Sequence, residues 1–540
     1  MEAIVAPGVR PSLVLHEDED LLVVDKPAGI NTHSANFHAG EGIYEWLKRR
    51  EPRWADLAIL QRLDKETSGV LVFSKTRRGN VSLFKQFSKR RAEKEYVLQT
   101  DRNPRRDSWT ARSFIRKISC RFESVDDPDE GLEAETRFTV LSGADGRWTV
   151  RAEPRTGRTH QIRIHASNEG IPILGDTLYG GTPHSRLCLH ARALRLRHPA
   201  TNEPVKFLAE PDFDASTGAA LRRAVIDPSS TSAYRLVHGA ADDRPGWYVD
   251  RLGAFLLASH DEGAVGAEGV PGWLTSLAGE TGATGIYRRR LDRQVRASDP
   301  ESASPEWCWG ATAPDEFDVR ENGLRYRLSF REGYSVGLFL DQRDNRRRLQ
   351  TNWVGPQFPV RPGGLSGAEV LNLFAYTCGF SVAAASAGAR ATSLDLSRKY
   401  LDWGRRNFEA NGFDPNAHDF IYGDAIDWLR RLGRKGRRFG VVVIDPPTFS
   451  KSKERGVFRV ESDYASLVTL AVGVLAPGGV LLASTNTSRL EPERWRANVA
   501  EGLSAAGRSA AKSLFIPQPP DFPTSRDQPG YLKTLWLMVP

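Results

Sequence analysis

Short apolar blocks separated by turn residues run through the first 210 positions of the chain. The run Leu21 to Val24 breaks at Lys26-Pro27-Ala28-Gly29, which predicts a strand followed by a turn. Residues 42–50 and 77–92 repeat their apolar side chains with helical spacing, and residues 94–210 are predicted as mostly strands. This pattern indicates an α+β domain.

The pattern changes twice further along the chain. Residues 233–350 contain short strand-like runs, such as Phe255 to Ser259 and Leu324 to Phe330, and few long helical stretches. From residue 369, apolar strands alternate with helical segments, which is typical of βαβ units on a largely parallel sheet. The strands predicted there are Val370 to Phe374, Ala391 to Leu394, Val441 to Ile444 and Val480 to Ser484.

These textures predict a multidomain protein, in keeping with a length of 540 residues. The predicted parts are an α+β domain over residues 1–215, a linker over 216–232, a small mainly β module over 233–355 and an α/β doubly wound, Rossmann-like domain over 356–540. The linker prediction rests on a content of Asp, Ser, Thr, Ala and Pro without a strong period.

The charge balance is basic, with a net charge of +8 and a pI of about 9.3. An excess of Lys and Arg favours a polyanionic partner, because clustered cations release counterions from a phosphate backbone. The four cysteines are far apart and form no CxxC pair, which argues against a disulfide framework or a zinc site. His160 and His165 are predicted as structural histidines, and we expect no metal.

Neither a secretion signal nor a membrane span is predicted. The segment Met1 to Arg10 lacks an apolar core, and the apolar stretch Leu467 to Ser484 is interrupted by Pro477-Gly478-Gly479. We therefore expect a cytoplasmic protein without a membrane partner.

One candidate catalytic residue is an aspartate, Asp64, in the loop Arg62 to Gly69. Arg158 and Arg163 lie in a later basic segment, and Tyr96 follows a predicted helix. A carboxylate beside a guanidinium stays ionised and can act as a nucleophile or base, while an aromatic ring can receive a base turned out of its stack. Taken alone, the aspartate would be interpreted as a turn cap.

The order of five motifs resembles the RluA-type pseudouridine synthases over roughly residues 12–210. The motifs are Asp25-Lys26-Pro27-Ala28-Gly29, Arg62-Leu63-Asp64, Lys94-x-Tyr96, Gly157-Arg158-Thr159-His160-Gln161-Ile162-Arg163 and Gly175-Asp176-x-x-Tyr179-Gly180. The resemblance implies that Asp64 is the catalytic aspartate and that Arg62 helps to extrude the base. It also implies that Tyr96 stacks on the uracil, that Arg163 pairs with Asp64, and that no cofactor is needed. Gln61 stands where the family usually has histidine.

The C-terminal domain carries candidate binding residues where its strands end, which is where doubly wound sheets bind ligands. The turn Ala375 to Gly379 is predicted to face the methionine part of a cofactor, and Asp395 can bind ribose hydroxyls. Asp424 is placed toward adenine, and Asp445-Pro446-Pro447 toward the atom that receives a methyl group. The alternative is a dehydrogenase-like nucleotide site, in which Asp-Pro-Pro has no use.

Residues 233–540 resemble the RlmI/RlmK-type ribosomal RNA methyltransferases, which use S-adenosylmethionine. The motifs are Pro245-Gly246-x-x-Val249-Asp250-Arg251, Gly337-x-Phe339-Leu340-Asp341-Gln342-Arg343-Asp344-Asn345-Arg346, Leu373-Phe374-Ala375-Tyr376-Thr377 and Asp445-Pro446-Pro447-Thr448-Phe449-Ser450. The residues assigned to the cofactor are Asp341, Gln342, Arg343, Asn372, Phe374, Tyr376, Gly379, Asp395 and Asp424, and those assigned to methyl transfer are Asp445, Pro446 and Pro447. Cys378 stands where the family commonly has glycine.

The absence of a cysteine at one position limits which base atom the enzyme can methylate. Methylation of carbon 5 of cytosine needs a cysteine that activates the ring, and relatives carry it on the strand after Pro-Gly-Gly. This chain has Ser484 to Ser488 there. The remaining prediction is methylation of a guanine nitrogen, and the wording of Asp445 to Ser450 also most resembles the N7-guanine relatives.

The sequence thus predicts a bifunctional RNA-modifying enzyme that forms pseudouridine and methylates a base. RNA is the predicted partner, ribosomal RNA rather than transfer RNA, and no protein partner is inferred. Two alternatives remain. One is an RNA-binding or chaperone protein with one or both sites inactive, and the other is a small-molecule methyltransferase fused to a synthase.

Overall fold

The computed structural model describes residues 13–34, 41–119, 121–266, 269–291, 303–452, 456–488, 490–525 and 528–540. Cys120 lies outside these ranges, and Cys188, Cys308 and Cys378 are free thiols. Among the described helices, none has the length and apolar character needed to cross a membrane.

The first part of the chain is built around a mixed sheet of eleven strands in the described residues. The strands are β1 (Val14–Glu17), β2 (Leu21–Lys26), β3 (Ala58–Ile59), β4 (Ser68–Ser74), β5 (Glu93–Thr100), β6 (Ser108–Ile118), β7 (Arg121–Val125), β8 (Leu132–Ala144), β9 (Arg147–Pro154), β10 (Leu189–Arg197) and β11 (Pro204–Leu208). They are ordered β1-β2-β4-β10-β5-β9-β8-β6-β7, with β3 beside β4 and β11 beside β10. Apolar runs on β2 and β4 are buried on both faces, so these strands lie in the core.

Helices α1 (Ile43–Arg50), α2 (Arg77–Ser88) and α3 (Gln161–Asn168) accompany this sheet. Helix α1 buries Ile43, Trp46 and Leu47 in the core that includes β2 and β4. Helix α2 begins where the Thr76 hydroxyl accepts a hydrogen bond from the Gly79 amide at 3.0 Å, a typical N-cap. The α+β prediction for this part is confirmed.

The segment 216–232, predicted as a linker, contains helix α4 (Thr217–Val225), which begins at the N-cap Ser216. Its side chains Leu221, Ala224 and Val225 are buried in the same core as α1. The sequence pattern missed this helix because its apolar stripe is short and lies among small and polar residues.

The β-rich module has a five-stranded sheet, formed in order by β12 (Ala233–His238), β13 (Trp247–Leu252), β14 (Phe255–His260), β15 (Gly285–Arg290) and β16 (Glu306–Gly310). Helix α5 (Gly272–Thr281) connects the parallel pair β14 and β15. Two hairpins follow, one of β17 (Phe317–Glu321) with β18 (Leu324–Leu328) and one of β19 (Trp353–Gly355) with β20 (Phe358–Pro359).

The C-terminal domain is a seven-stranded sheet in the order β23-β22-β21-β24-β27-β29-β28 in the described residues. The strands are β21 (Glu369–Leu373), β22 (Arg390–Asp395), β23 (Asp419–Tyr422), β24 (Phe439–Ile444), β27 (Leu475–Thr485), β28 (Lys512–Pro517) and β29 (Lys533–Val539), and β25 (Phe449–Ser452) and β26 (Gly456–Arg459) form a separate hairpin. The helices are α6 (Arg343–Gln350), α7 (Gly379–Ser386), α8 (Arg398–Ala410), α9 (Ala425–Arg434), α10 (Val460–Gly473) and α11 (Pro492–Ala505).

Strands β21 to β24 and β27 pair in parallel, and β29 is reversed, since it pairs antiparallel with both β27 and β28. This arrangement confirms the doubly wound prediction. Strand β27 begins earlier than predicted, since Leu475 already pairs with Phe439. The register then shifts before Val480 pairs with Val441, so the turn residues between them form an irregularity inside the strand.

The synthase-like and C-terminal parts touch through α1, α6 and β19. Arg347 Nη2 lies 2.6 Å from Glu51 Oε1, and the Trp353 indole donates to the Lys48 carbonyl at 3.1 Å. All of these groups are at least partly buried. Helix α6 of the C-terminal part therefore contacts the N-terminal part directly through Arg347.

Two candidate active sites

The loop that carries Asp64 is fixed by hydrogen bonds from two buried side chains. The Thr32 hydroxyl donates to the Leu63 carbonyl at 2.8 Å and accepts from the Leu63 amide at 3.0 Å. The buried Lys26 ammonium donates to the carbonyls of Ile30 and Lys65 at 2.8 and 3.3 Å. These contacts hold the backbone on both sides of Asp64.

Gly69 closes the same loop where β4 meets β10. Its φ of +116° is a conformation that other residues rarely adopt, and a Cβ there would collide with the Ala191 backbone. The turn after Asp64 is completed by a hydrogen bond of 3.2 Å from the Thr67 amide to the Asp64 carbonyl. The loop thus requires glycine at the point where the two strands come closest.

Asp64 lies beside Arg163 of helix α3 and beside His160, the N-cap residue of that helix. Its Oδ2 atom is 4.0 Å from Arg163 Nη1 and 3.9 Å from His160 Nε2. Burial lowers the pKa of His160, and the Asp64 carboxylate opposes that effect. The structure therefore brings together the predicted pair of Asp64 and Arg163 at the limit of an ion-pair distance.

Arg163 makes its shorter contacts with another carboxylate. Its Nε and Nη2 atoms donate to the two oxygens of Asp176 at 2.7 and 2.8 Å, and both side chains are buried. Bidentate pairs of this kind fix a guanidinium plane firmly. Asp176 thus sets the orientation in which Arg163 faces Asp64.

Tyr96 and Arg62 line the cavity in front of Asp64, which has a volume of about 1130 Å³. Burial raises the pKa of the Tyr96 hydroxyl well above its usual value, and the Asp64 charge adds to the shift. The cavity walls also include the cations Lys65, Arg90, Lys94, Arg155 and Arg158. A space of this size with a basic wall can admit a nucleotide and its neighbouring phosphates.

The sequence missed the roles of Asp176 and His160. Asp176 was visible as part of a motif, but its partner could not be inferred from chain position. His160 adopts a left-handed conformation with a φ of 57°, and its Nδ1 atom is 2.9 Å from the Tyr179 hydroxyl. The sequence did not indicate that His160 also approaches Asp64. Arg158 lines the cavity but donates to the Glu133 carbonyl at 3.0 Å.

The second cavity, of about 1620 Å³, opens at the carboxyl ends of β21, β22 and β24. The predicted residues that line it are Asp341, Gln342, Phe374, Tyr376, Asp395, Asp445, Pro446 and Pro447. Ser335, Phe339, Tyr400, Thr448, Asn486 and Tyr531 line it as well, and these were not predicted. The strand order thus brings distant loops to one crevice, as doubly wound sheets do.

Gln342 connects the two loops of this crevice. Its amide nitrogen donates to Asp445 Oδ2 at 3.0 Å and to the Ser484 hydroxyl at 2.8 Å. Asp341, one residue earlier, accepts from the Tyr531 hydroxyl at 3.1 Å. The Asp445 carboxyl is therefore held by a side chain that comes from a segment about a hundred residues earlier.

Two buried carboxyls lie close together in this crevice. Burial is the main reason that the pKa of Asp445 rises to about 7, and the negative charge of Asp341 adds to the rise. Burial also raises the pKa of Asp341, against the effect of the Tyr531 hydroxyl. Among the described residues, no cluster of three or more His, Cys, Asp or Glu side chains could hold a metal ion.

Asp395 ends β22 and shapes the loop that follows β21. Its oxygens accept hydrogen bonds of 2.8 Å from the Tyr376 and Ser397 amides. Burial raises its pKa. A carboxylate can accept further hydrogen bonds, so Asp395 can also bind ribose hydroxyls.

Four residues that the sequence assigns to the cofactor do not line this cavity. Asn372 on β21 donates to the Ser381 hydroxyl on α7 at 3.0 Å, and Arg343 binds the buried Asp521 through two bonds of 2.7 Å. Asp424 caps helix α9 by accepting from the Ile426 amide. Gly379 packs against Arg346. Their contacts favour a supporting role, because their polar groups are engaged away from the crevice.

Cys378 has a left-handed conformation, with a φ of 64°, which explains why glycine is usual there. Its side chain is buried and points to Gly404 of α8, where any larger residue would collide with Cys378 Sγ. Phe374 and Tyr376 share this backbone region with φ values of 56° and 47°. The thiol is thus accommodated by α8 and does not narrow the cavity.

The crevice fits S-adenosylmethionine on the chemistry of its residues. Asp395 at a strand end supplies acceptors for hydroxyl groups, and Phe374, Tyr376 and Tyr400 supply aromatic walls. The volume exceeds that of a typical small-ligand pocket, so a cofactor and a base can share it.

Two families match the chain. The family described as RNA pseudouridylate synthase matches residues 20–168, and the one described as S-adenosylmethionine-dependent methyltransferase matches residues 275–537. Both predicted activities are therefore confirmed at the level of the domain family.

Curated relatives agree with this division. A "Ribosomal RNA large subunit methyltransferase" of Deinococcus radiodurans is 30% identical over 403 residues, covering 72% of this chain and 92% of that protein. A "Ribosomal RNA large subunit methyltransferase I" of Aeromonas salmonicida is 32% identical over 319 residues, covering 58% of this chain and 76% of that protein.

Among solved structures, SMU.776, assigned as a methyltransferase and solved with S-adenosylhomocysteine, is 26% identical with a TM-score of 0.51. The match covers 64% of this chain and 86% of that one. It supports the fold and the cofactor class of the C-terminal half.

Proposed function

Because this chain belongs to the family of ribosomal RNA large subunit methyltransferases and carries an RNA pseudouridylate synthase domain in front, we propose that both reactions modify ribosomal RNA. The chain is a bifunctional RNA-modifying enzyme, and its methyltransferase domain uses S-adenosylmethionine. The observation that carries the proposal is the presence of two separate cavities, one around Asp64 and one around Asp445. We propose that both reactions take place in the cytoplasm.

In the first cavity, Asp64 attacks or deprotonates the uridine, and the Arg163 guanidinium lies 4.0 Å from its carboxylate. Asp176 holds Arg163 in the required plane. Tyr96 stacks on the extruded uracil, and Arg62 at the cavity wall occupies the space that the base leaves. The bond between C1′ of the ribose and N1 of the base breaks, and the base rotates until carbon 5 bonds to C1′. Carbon 5 then loses its proton and N1 gains one, so no redox group is needed.

In the second cavity, S-adenosylmethionine supplies an electrophilic methyl group. Asp395 holds its ribose, and Phe374 and Tyr376 enclose it. Asp445, positioned by Gln342, accepts a hydrogen bond from the target base. Pro446 and Pro447 restrict the backbone of this loop, so it would hold a target nitrogen in a fixed position in the cavity.

We assign the methyl group to a guanine nitrogen. Among the described residues that line the cavity there is no cysteine, so the covalent activation that carbon 5 of cytosine requires has no nucleophile. A nitrogen with a lone pair attacks the methyl group directly and needs only orientation. The hydrogen bond acceptor Asp445 suits the N–H edge of guanine.

The test uses an unmodified large-subunit ribosomal RNA transcript. Tritium release from uridine labelled at carbon 5 measures pseudouridine formation, and transfer of a labelled methyl group measures the second reaction. We expect both products from the wild-type chain, and a methylated guanosine among the nucleosides after digestion.

Two variants assign each reaction to its cavity. Asp64→Asn should abolish tritium release and leave methyl transfer nearly unchanged, while Asp445→Ala should do the reverse. If both activities fell together in either variant, independent sites would be wrong. Methylated cytidine in place of guanosine would refute the base assignment.

A further inference from the structure

The edge strand β16 of the small module exposes two tryptophans. Trp307 is 52% exposed and Trp309 is 38% exposed, while Cys308 between them packs inward with its Sγ atom 3.3 Å from the Ile286 carbonyl. An edge strand has unpaired backbone groups, and exposed indoles beside them add apolar surface. These features together are typical of a surface that binds a partner.

Trp307 lies opposite Tyr287 in the antiparallel register, so the two side chains share one face of the sheet. Arg289 follows two residues along β15 and lies on the same face, about 7 Å further on. Its guanidinium donates to the Tyr334 carbonyl and stacks 4.5 Å from the centre of the Tyr334 ring. Tyr334 itself lines the methyltransferase cavity.

The segment just before this strand borders that cavity. Ala303 lines the cavity, and the Ser304 hydroxyl accepts a hydrogen bond of 3.0 Å from the Gly333 amide of the same wall. Trp307 follows four residues after Ala303, so the two residues are at most about 13 Å apart along the chain. The indole therefore stands outside the cavity but within a short reach of its entrance.

We propose that Trp307 stacks on an unpaired RNA base that neighbours the base held in the methyltransferase cavity. The proposal rests on the assignment of RNA as the substrate of that cavity. An exposed indole with a cation on the same face, next to an opening for a base, is the combination that binds single-stranded RNA without reading its sequence. The positive net charge of the chain favours a polyanionic partner. RNA offers a base for stacking where that base is unpaired.

The experiment compares Trp307→Ala and Trp307→Phe with the wild-type chain on the unmodified large-subunit transcript. Loss of one stacked base corresponds to roughly a 5- to 150-fold loss of affinity. We expect Trp307→Ala to raise the KM for RNA at least fivefold, with kcat and the KM for S-adenosylmethionine within twofold. Trp307→Phe should recover most of the loss, and pseudouridine formation in the same transcript should not change.

The matched control is Val265→Ala, which removes an exposed apolar side chain of the same module, 90% exposed, away from β16. If Trp307→Ala behaved like this control, the proposal would be overturned. An effect seen only on ribosomal particles, and not on the naked transcript, would also overturn it by pointing to a protein contact.

Ultraviolet crosslinking separates this proposal from the proposed function. It needs no turnover, so a crosslink between the transcript and the peptide that contains Trp307 supports stacking even if the wild-type chain methylates nothing. Methyl transfer without that crosslink and without a KM change in Trp307→Ala would reject Trp307 and leave the proposed function standing.

Discussion

Replacing Asp176 with asparagine tests whether a buried carboxylate positions the arginine that faces the catalytic aspartate. Arg163 is 7% exposed and Asp176 is 1% exposed, and they share bonds of 2.7 and 2.8 Å. Breaking one partner of such a pair costs about 3–5 kcal/mol, because a buried charge loses its compensation. The amide keeps one hydrogen bond and Asp64 lies 4.0 Å away, so we expect about 3 kcal/mol.

The same change should reduce catalysis. Arg163 would turn toward Asp64 once Asp176 is neutral, and a misplacement of about 1 Å at a reacting group costs about a hundredfold in rate. We expect kcat for tritium release to fall about a hundredfold, with methyl transfer unaffected. Urea unfolding and single-turnover tritium release on the same preparations measure both effects.

The matched control is Glu210→Gln. Glu210 also makes a bidentate pair, with Arg192 at 2.8 and 3.0 Å, but it is largely exposed. Exposed pairs contribute about 0–1 kcal/mol, so this variant should unfold close to the wild type. If Asp176→Asn were as stable as Glu210→Gln and released tritium within twofold of the wild type, the positioning role of Asp176 would be refuted.

Three further predictions concern other parts of the chain. Asp395→Ala should weaken S-adenosylmethionine binding about 10- to 150-fold, from the loss of charge-assisted hydrogen bonds, and leave pseudouridine formation unchanged; unchanged binding in calorimetry would reject that assignment. Methyl transfer should rise with pH through about 7, because burial raises the pKa of Asp445 to about 7 and the ionised carboxylate is the stronger hydrogen-bond acceptor, with both oxygens able to accept; the rise should vanish in Asp445→Asn, and a flat wild-type profile would contradict it. Burial lowers the pKa of Lys26 to about 7 from 10.5, so the unfolded chain binds more protons between these values and the contribution of Lys26 to stability grows with pH there. The free energy of unfolding of the wild type minus that of Lys26→Met should therefore increase from pH 7 to pH 10 in urea titrations, and a decrease would disprove the assignment.

The pattern of the sequence predicted what depends on local order. Apolar runs located β2, β21 and β24, and the short motif around Asp64 located the first site. Such features can be seen because a strand or a loop is encoded by neighbouring residues.

Partnerships between distant residues could not be predicted in this way. Gln342 meets Asp445, and Arg163 meets Asp176, because the fold brings their segments together and not because of any spacing between them. Cys378 was noted as unusual, yet its accommodation by Gly404 depends on how α8 packs. The linker prediction failed to include α4 for a similar reason, since the apolar stripe of this helix is stabilised mainly by a core formed elsewhere.

Helix α4 has a consequence for how the two enzymes can be separated. Its apolar face completes the synthase core, while Arg222 on the same helix binds Asp242 through two bonds of 2.7 Å and the Asp521 carbonyl at 2.7 Å. If the chain were divided before this helix, the synthase domain would lose part of its core. If it were divided after the helix, the C-terminal half would lose the hydrogen bonds from Arg222. We therefore expect neither half to keep its full stability when it is expressed without this helix.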